Sequence, residues 1–92
     1  MPRTAAQQVA AKRDGPFCLW CKQQGRLIEA SDVHHILRRK VDVPEACISL
    51  CHTCHIAGNH TGKEPTKKQL VDIMLELYGY DLRAMYPQFS KV

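Results

Sequence analysis

The most regular pattern of apolar and polar positions lies late in the chain. Leu70, Ile73, Met74, Leu77 and Tyr78 recur at helical spacing and predict an amphipathic helix over residues 66–79, with its stripe in the core. Thr66 followed by Gln69 is a capping box, and Gly79 is a stop signal. A short helix over residues 81–86 should follow, ahead of Pro87, with Leu82, Met85 and Phe89 as packing residues. At the other end, residues 4–14 are alanine-rich, preceded by a capping Thr4 and closed by Gly15-Pro16, so a helix is expected there too. Its apolar face is weak, because only Val9 is larger than alanine. The middle reads as strands: a short one over 26–29, one over 32–37 and a returning one over 46–50. Residues 38–44 join the last two as a basic turn or loop. Cys51 and Cys54 then open a further helix, ended or kinked by Gly58.

Ninety-two residues make one domain with a thin core, and a domain this small often needs a staple. The cysteines supply one. Four of the five fall into two Cys-x-x-Cys pairs, Cys18/Cys21 and Cys51/Cys54. No apolar run approaches the ~20 residues of a membrane helix, and no signal-peptide pattern opens the chain. The expected setting is therefore reducing cytosol, where paired Cys-x-x-Cys motifs favour a metal over disulfides. The expected ligand set is four thiolates around a structural Zn²⁺, with the long insert between the pairs taken up by a hairpin. Cys47 is left over and reads as a small buried apolar residue.

The formal charge is +4, which four thiolates around one dication would lower by two. Distribution says more than the total. Arg38, Arg39 and Lys40 precede the second cysteine pair, and Lys63, Lys67 and Lys68 follow it. The first group lies within the segment from Asp32 to His60, which carries His34, His35, His55 and His60, and the second lies just after it. A polyanion such as nucleic acid fits that arrangement, and a solvated basic surface is the plainer alternative.

The order Cys-x-x-Cys, Val-His-His-Ile, Leu-Cys-x-x-Cys-His resembles the HNH endonuclease family in its zinc-stapled form, over roughly residues 17–60. The resemblance implies a small α+β fold with a ββα-metal, treble-clef-like core over about 17–62: a two-stranded antiparallel hairpin and a helix, with flanking helices and a structural zinc. It implies His35 as general base and His34 and His55 as ligands of a catalytic divalent ion, Mg²⁺ or Mn²⁺. Asn59, with His60 as its rival, supplies a further ligand or phosphate contact. It also implies double-stranded DNA as the partner, held by Arg38, Arg39, Lys40, Lys63, Lys67 and Lys68, and nicking by a monomer with low sequence specificity. One departure stands out. The family's middle Asn usually lies five residues before the third cysteine, where this chain has Ala46. A backbone carbonyl or Asp32 would then have to orient His35.

Two features leave room for other readings. In a regular strand His34 and His35 point to opposite faces, so both serve one site only where the strand ends or bulges. Cysteine and histidine pairs also alternate along the chain, as they would in a non-catalytic zinc-binding module that contacts nucleic acid or protein.

Overall fold

The computed structural model describes residues 2–56 and 64–90. Gly58, Asn59, His60 and Lys63 lie outside the described residues. The described chain runs α1 (Ala5–Asp14), α2 (Leu19–Gln23), β1 (Asp32–His35), a 3-10 turn (Pro44–Ala46), β2 (Cys47–Leu50), α3 (His52–Ile56), α4 (Lys67–Tyr78) and α5 (Leu82–Met85). It is an α+β arrangement of helices around one two-stranded antiparallel sheet.

Both long helices start where their caps place them. Thr4 and Gln7 form a reciprocal capping box at α1, and Thr66 and Gln69 form the same box at α4. Each box satisfies two of the N–H groups that a helix start leaves without partners. Gly79 ends α4 in the left-handed conformation, at φ 73°. On α4 the buried residues are Leu70, Val71, Ile73 and Met74, while Leu77 stays exposed. The buried stripe therefore runs one position to the side of the periodic set. Met85 of α5 is exposed as well, and Leu82 alone of that helix is buried.

The pairing of β1 with β2 fixes two faces. Val33 lies opposite Ser49, His34 opposite Ile48, and His35 opposite Cys47. Successive side chains of a strand alternate. Ile48 and Leu50 accordingly join Leu37, Leu70, Met74 and Leu82 in the main core, which also takes in the four paired cysteines. Val33 and Cys47 face the other way, against Ala6 and Ala10 of α1. The small residues of α1 let it lie close to the sheet, so its weak apolar pattern reflects tight packing. All four residues of β2 are buried because both faces of the strand are covered.

Residues 26–29 do not form the expected strand. A single bridge pairs Phe17 with Glu29, and Leu27 and Ile28 are 67% and 45% exposed. Only residues 16–18 lie beside it, with Cys18 N–H donating to the Ile28 carbonyl and Ala30 N–H to the Pro16 carbonyl, and so short a pairing does not extend into a ladder. The first cysteine knuckle is also more helical than a simple turn: Cys18 caps the short α2, and its sulfur accepts a 3.5 Å hydrogen bond from the Cys21 N–H.

A buried polar bolt fastens α1 to the back of the sheet. The Asp14 carboxylate accepts from Arg13 Nε at 2.7 Å, Arg13 Nη2 at 3.1 Å, the Ser49 N–H at 2.8 Å and the Tyr78 hydroxyl at 2.6 Å. Arg13 in turn donates to the carbonyls of Pro44 and Cys47, each at 2.6 Å, under the Tyr78 ring. One carboxylate thus ties together α1, β2 and α4, in chain order 14, 49 and 78.

Candidate metal centre and histidine cleft

Cys18, Cys21, Cys51 and Cys54 converge, with their four sulfurs all within 4.8 Å of one another. Cys21 Sγ is 3.9 Å from Cys51 Sγ and 3.6 Å from Cys54 Sγ. Thiolates at ~2.3 Å from a tetrahedral ion stand roughly 3.8 Å apart, so the donor set fits a metal such as zinc. It does not fit disulfides, and all five cysteines are free thiols. Burial pushes the Cys21 and Cys54 thiols up, and neighbouring thiols raise Cys54 further. Burial opposes ionisation of Cys51 too, but hydrogen bonds from Cys54 outweigh it and lower that thiol. A dication at the centre of the four sulfurs would favour their thiolate form. Cys47 lies apart on β2, fully buried, and burial pushes it up to about 11. It behaves as the apolar residue expected.

The histidines gather beside the hairpin. His34 shares the β1 face that looks towards α3, and its ring stands 4.9 Å from that of His55, tilted by 57°. Two imidazoles on one ion, each nitrogen at ~2.1 Å, hold their ring centroids roughly 4.5–5.3 Å apart. Burial, together with the nearby His55 and His35, pushes His34 down to about 4. It is therefore neutral near pH 7, as a ligand must be.

His35 turns to the α1 side, as strand alternation requires. Its Nε2 lies 2.9 Å from Asp42 Oδ1, which also accepts from Thr4 Oγ1 at 2.7 Å. The partner of His35 is thus Asp42, where Asp32 or a backbone carbonyl was expected. Asp32 lies on the opposite face of β1 and cannot reach it. Asp32 instead meets His55 Nδ1 at 2.8 Å and His52 Nδ1 at 3.1 Å. Burial alone would raise Asp32, but the bonds from His55 and His52 outweigh it and hold it below the usual carboxylate value. Donation from His55 Nδ1 to Asp32 leaves that ring's lone pair on Nε2.

The opposed faces of His34 and His35 meet again because β1 ends at His35. Both border one open cleft of about 630 Å³, which Asp32, Asp42, Arg38 and His55 also line. A second cleft of about 340 Å³ is lined by His34, His35, His55, Arg38 and Lys67. Arg38 follows the strand in the left-handed region, at φ 81°. A non-glycine residue is held there at a cost of roughly 1 kcal/mol or more, and such cost concentrates at functional sites. Burial and the Arg38 charge together lower Lys67, whose ammonium donates to the Phe89 carbonyl. Arg39 borders the larger cleft, while Lys40 and Lys68 are exposed and border neither of the two.

Three residues at this site lacked a clear sequence signal. His52 sits three before His55 on α3, a spacing that puts both on one helix face. Asp42 lies seven residues from His35 across a loop, and no periodicity links the two. Arg3, just before the α1 cap, borders the larger cleft and donates to the Ser31 carbonyl at 3.3 Å.

Among the described residues, no helix is long and apolar enough to cross a membrane. A scan against protein-family models gave no match, and neither did searches of curated proteins and of solved structures.

Proposed function

We propose that this chain is a divalent-metal-dependent endonuclease of the HNH type, which hydrolyses DNA phosphodiester bonds and nicks with low sequence specificity. In this reading β1, β2 and α3 are its ββα-metal core, and the four cysteines hold Zn²⁺ as a structural staple. The observation that carries the reading is the convergence of His34, His35 and His55 on one cleft beside Arg38, with the thiol cluster immediately behind. A cluster of three imidazoles costs desolvation and mutual repulsion, and hydrophobic packing gives no reason for it.

His34 Nε2 or Nδ1 and His55 Nε2 would hold the catalytic ion, with Asn59 or His60 as the further ligand. When bound, the ion would stabilise charge developing on the phosphate and on the departing 3′ oxygen. Imidazole donors suit transition ions better than Mg²⁺, so Mn²⁺ is the better match of the two. His35 is the general base. Donation from Nε2–H to Asp42 leaves the lone pair on Nδ1, which takes a proton from the attacking water. The water oxygen bonds to phosphorus, the bond to the 3′ oxygen breaks, and that oxygen is protonated from solvent. Arg38 and Lys67 hold the phosphate by charge, and Arg39 with the exposed Lys40 and Lys68 extends contact along the backbone. Lys63 would add to them. Asp42 takes the orienting role that the family gives to the region of the missing Asn.

Supercoiled plasmid incubated with the zinc-loaded protein and Mn²⁺ or Mg²⁺ tests this. Conversion to the relaxed circle, lost in His35→Ala, is expected. Plasmid left intact with both ions would sink the enzyme reading in favour of a non-catalytic zinc module.

A further inference from the structure

On the flank of the cleft, one carboxylate oxygen serves two imidazoles through the same ring atom. Asp32 Oδ2 lies 3.1 Å from Nδ1 of His52 and 2.8 Å from Nδ1 of His55. One ligand atom from each of the three residues lies within 4.8 Å of the other two. His52 and His55 share a face of α3 at a spacing of three, and Asp32 opens β1 opposite them. Helix and strand each fix their side, so the convergence is built by the fold. It faces outward: the His52 side chain is 73% exposed. An imidazole so exposed gains little from a surface hydrogen bond to a carboxylate.

Donor atoms at ~2.0–2.1 Å from one ion stand roughly 2.9–3.4 Å apart. The two oxygen–nitrogen distances, 2.8 and 3.1 Å, match that range to within about a tenth of an ångström. We propose that Asp32, His52 and His55 form a second metal site, for a borderline transition ion such as Zn²⁺ or Co²⁺. Two imidazoles and one carboxylate bind it, and water completes the shell, as in open sites of that donor set. It is distinct from the four-thiol site and from the pair of His34 with His55.

The site shares His55 with the proposed reactive centre, and the sharing has a chemical consequence. A neutral imidazole has one N–H and one lone pair. An ion on Nδ1 takes the lone pair there and leaves the hydrogen on Nε2. His55 then cannot serve an ion on Nε2, so the two uses exclude one another. This consequence rests on the nuclease reading, whereas the metal site itself does not.

The test titrates the full chain, already carrying one zinc in its thiol site, with Co²⁺. A second equivalent is expected, with visible d–d bands and no added thiolate charge-transfer absorption. Nitrogen-15 spectra of labelled histidine should show that ion on Nδ1 of His55 in the wild type and in His34→Ala, and no ion on Nδ1 in His52→Ala. An ion that stays on Nδ1 of His55 in His52→Ala, or none there in the wild type, would overturn the site. Added zinc should also slow plasmid nicking in the wild type. Plasmid that stays intact before any extra zinc is added would refute the nuclease reading alone and leave the cobalt result standing.

Discussion

Replacing Asp14 with asparagine should remove a large share of the protein's stability, although the two side chains have nearly the same shape. The Asp14 side chain is 0% exposed and accepts four hydrogen bonds, two on each oxygen. Asparagine keeps one acceptor oxygen. With that oxygen in the Oδ1 position, the Arg13 Nε and Tyr78 bonds survive. Its NH₂ then faces two other donors, the Ser49 N–H and Arg13 Nη2, and both are left without an acceptor. Each buried donor so orphaned costs about 1–3 kcal/mol. The Arg13 guanidinium also loses its counter-charge, and breaking a buried pair costs about 3–5 kcal/mol in all. A domain of this size has about 5–15 kcal/mol of total stability. Urea melts of the zinc-loaded protein read this directly, as a lower midpoint at unchanged slope. At roughly 4–8 °C per kcal/mol, the thermal midpoint should fall by at least about 12 °C. Tyr78→Phe is the control. It removes one donor, leaves the carboxylate three, and should cost about 1–2 kcal/mol. Asp14→Asn within about 1 kcal/mol of wild type, or a larger loss in Tyr78→Phe, would refute the bolt.

Three further outcomes follow from the same contacts. Removing the metal with a strong chelator, or Cys54→Ser, should unfold the chain: a structural zinc contributes about 10–16 kcal/mol in small domains, as much as or more than the whole stability expected here. Helical circular dichroism that persists without metal would contradict this. His34 makes stability fall with acid. Its folded value is about 4, against 6.5 when unfolded, so the unfolded chain binds the extra proton and stability drops as pH falls below 6.5. Between pH 7 and pH 5 the loss should be roughly 2 kcal/mol at 1.36 kcal/mol per pH unit, and His34→Gln should lack it in parallel urea melts. Asp42→Asn should lower the nicking rate about 10–100-fold with little change in KM, because the His35 tautomer is no longer fixed. A rate equal to wild type would remove Asp42 from the positioning role.

The staple and the helix ends were legible because each is written locally. Cys-x-x-Cys presents two sulfurs from one turn, and Thr4 with Gln7, or Thr66 with Gln69, forms a complete cap within four residues. The strand expected over residues 26–29 failed for the same reason in reverse: Leu27 and Ile28 look strand-like locally, but the segment beside them, residues 16–18, supplies only a single bridge. Val71 replaced Leu77 in the core because neighbouring elements, and not periodicity, decide which edge of a helical stripe is covered. The histidine cleft was half legible. His34, His35 and His55 stood out by type, whereas Asp42, His52 and the Asp14 bolt depend on contacts between distant segments. Asp14, at the end of a helix, gives no sign that Ser49 and Tyr78 will close over it.

The central claim is that His35 acts as a base in phosphodiester hydrolysis at the hairpin cleft. The initial rate of plasmid nicking with Mn²⁺, compared between wild type and His35→Ala of equal zinc content, tests it most directly. A measurable wild-type rate is expected, with a fall of about 10²–10⁴-fold in the variant, the range typical of a lost general base. Equal rates in the two proteins, or no nicking by either, would contradict it.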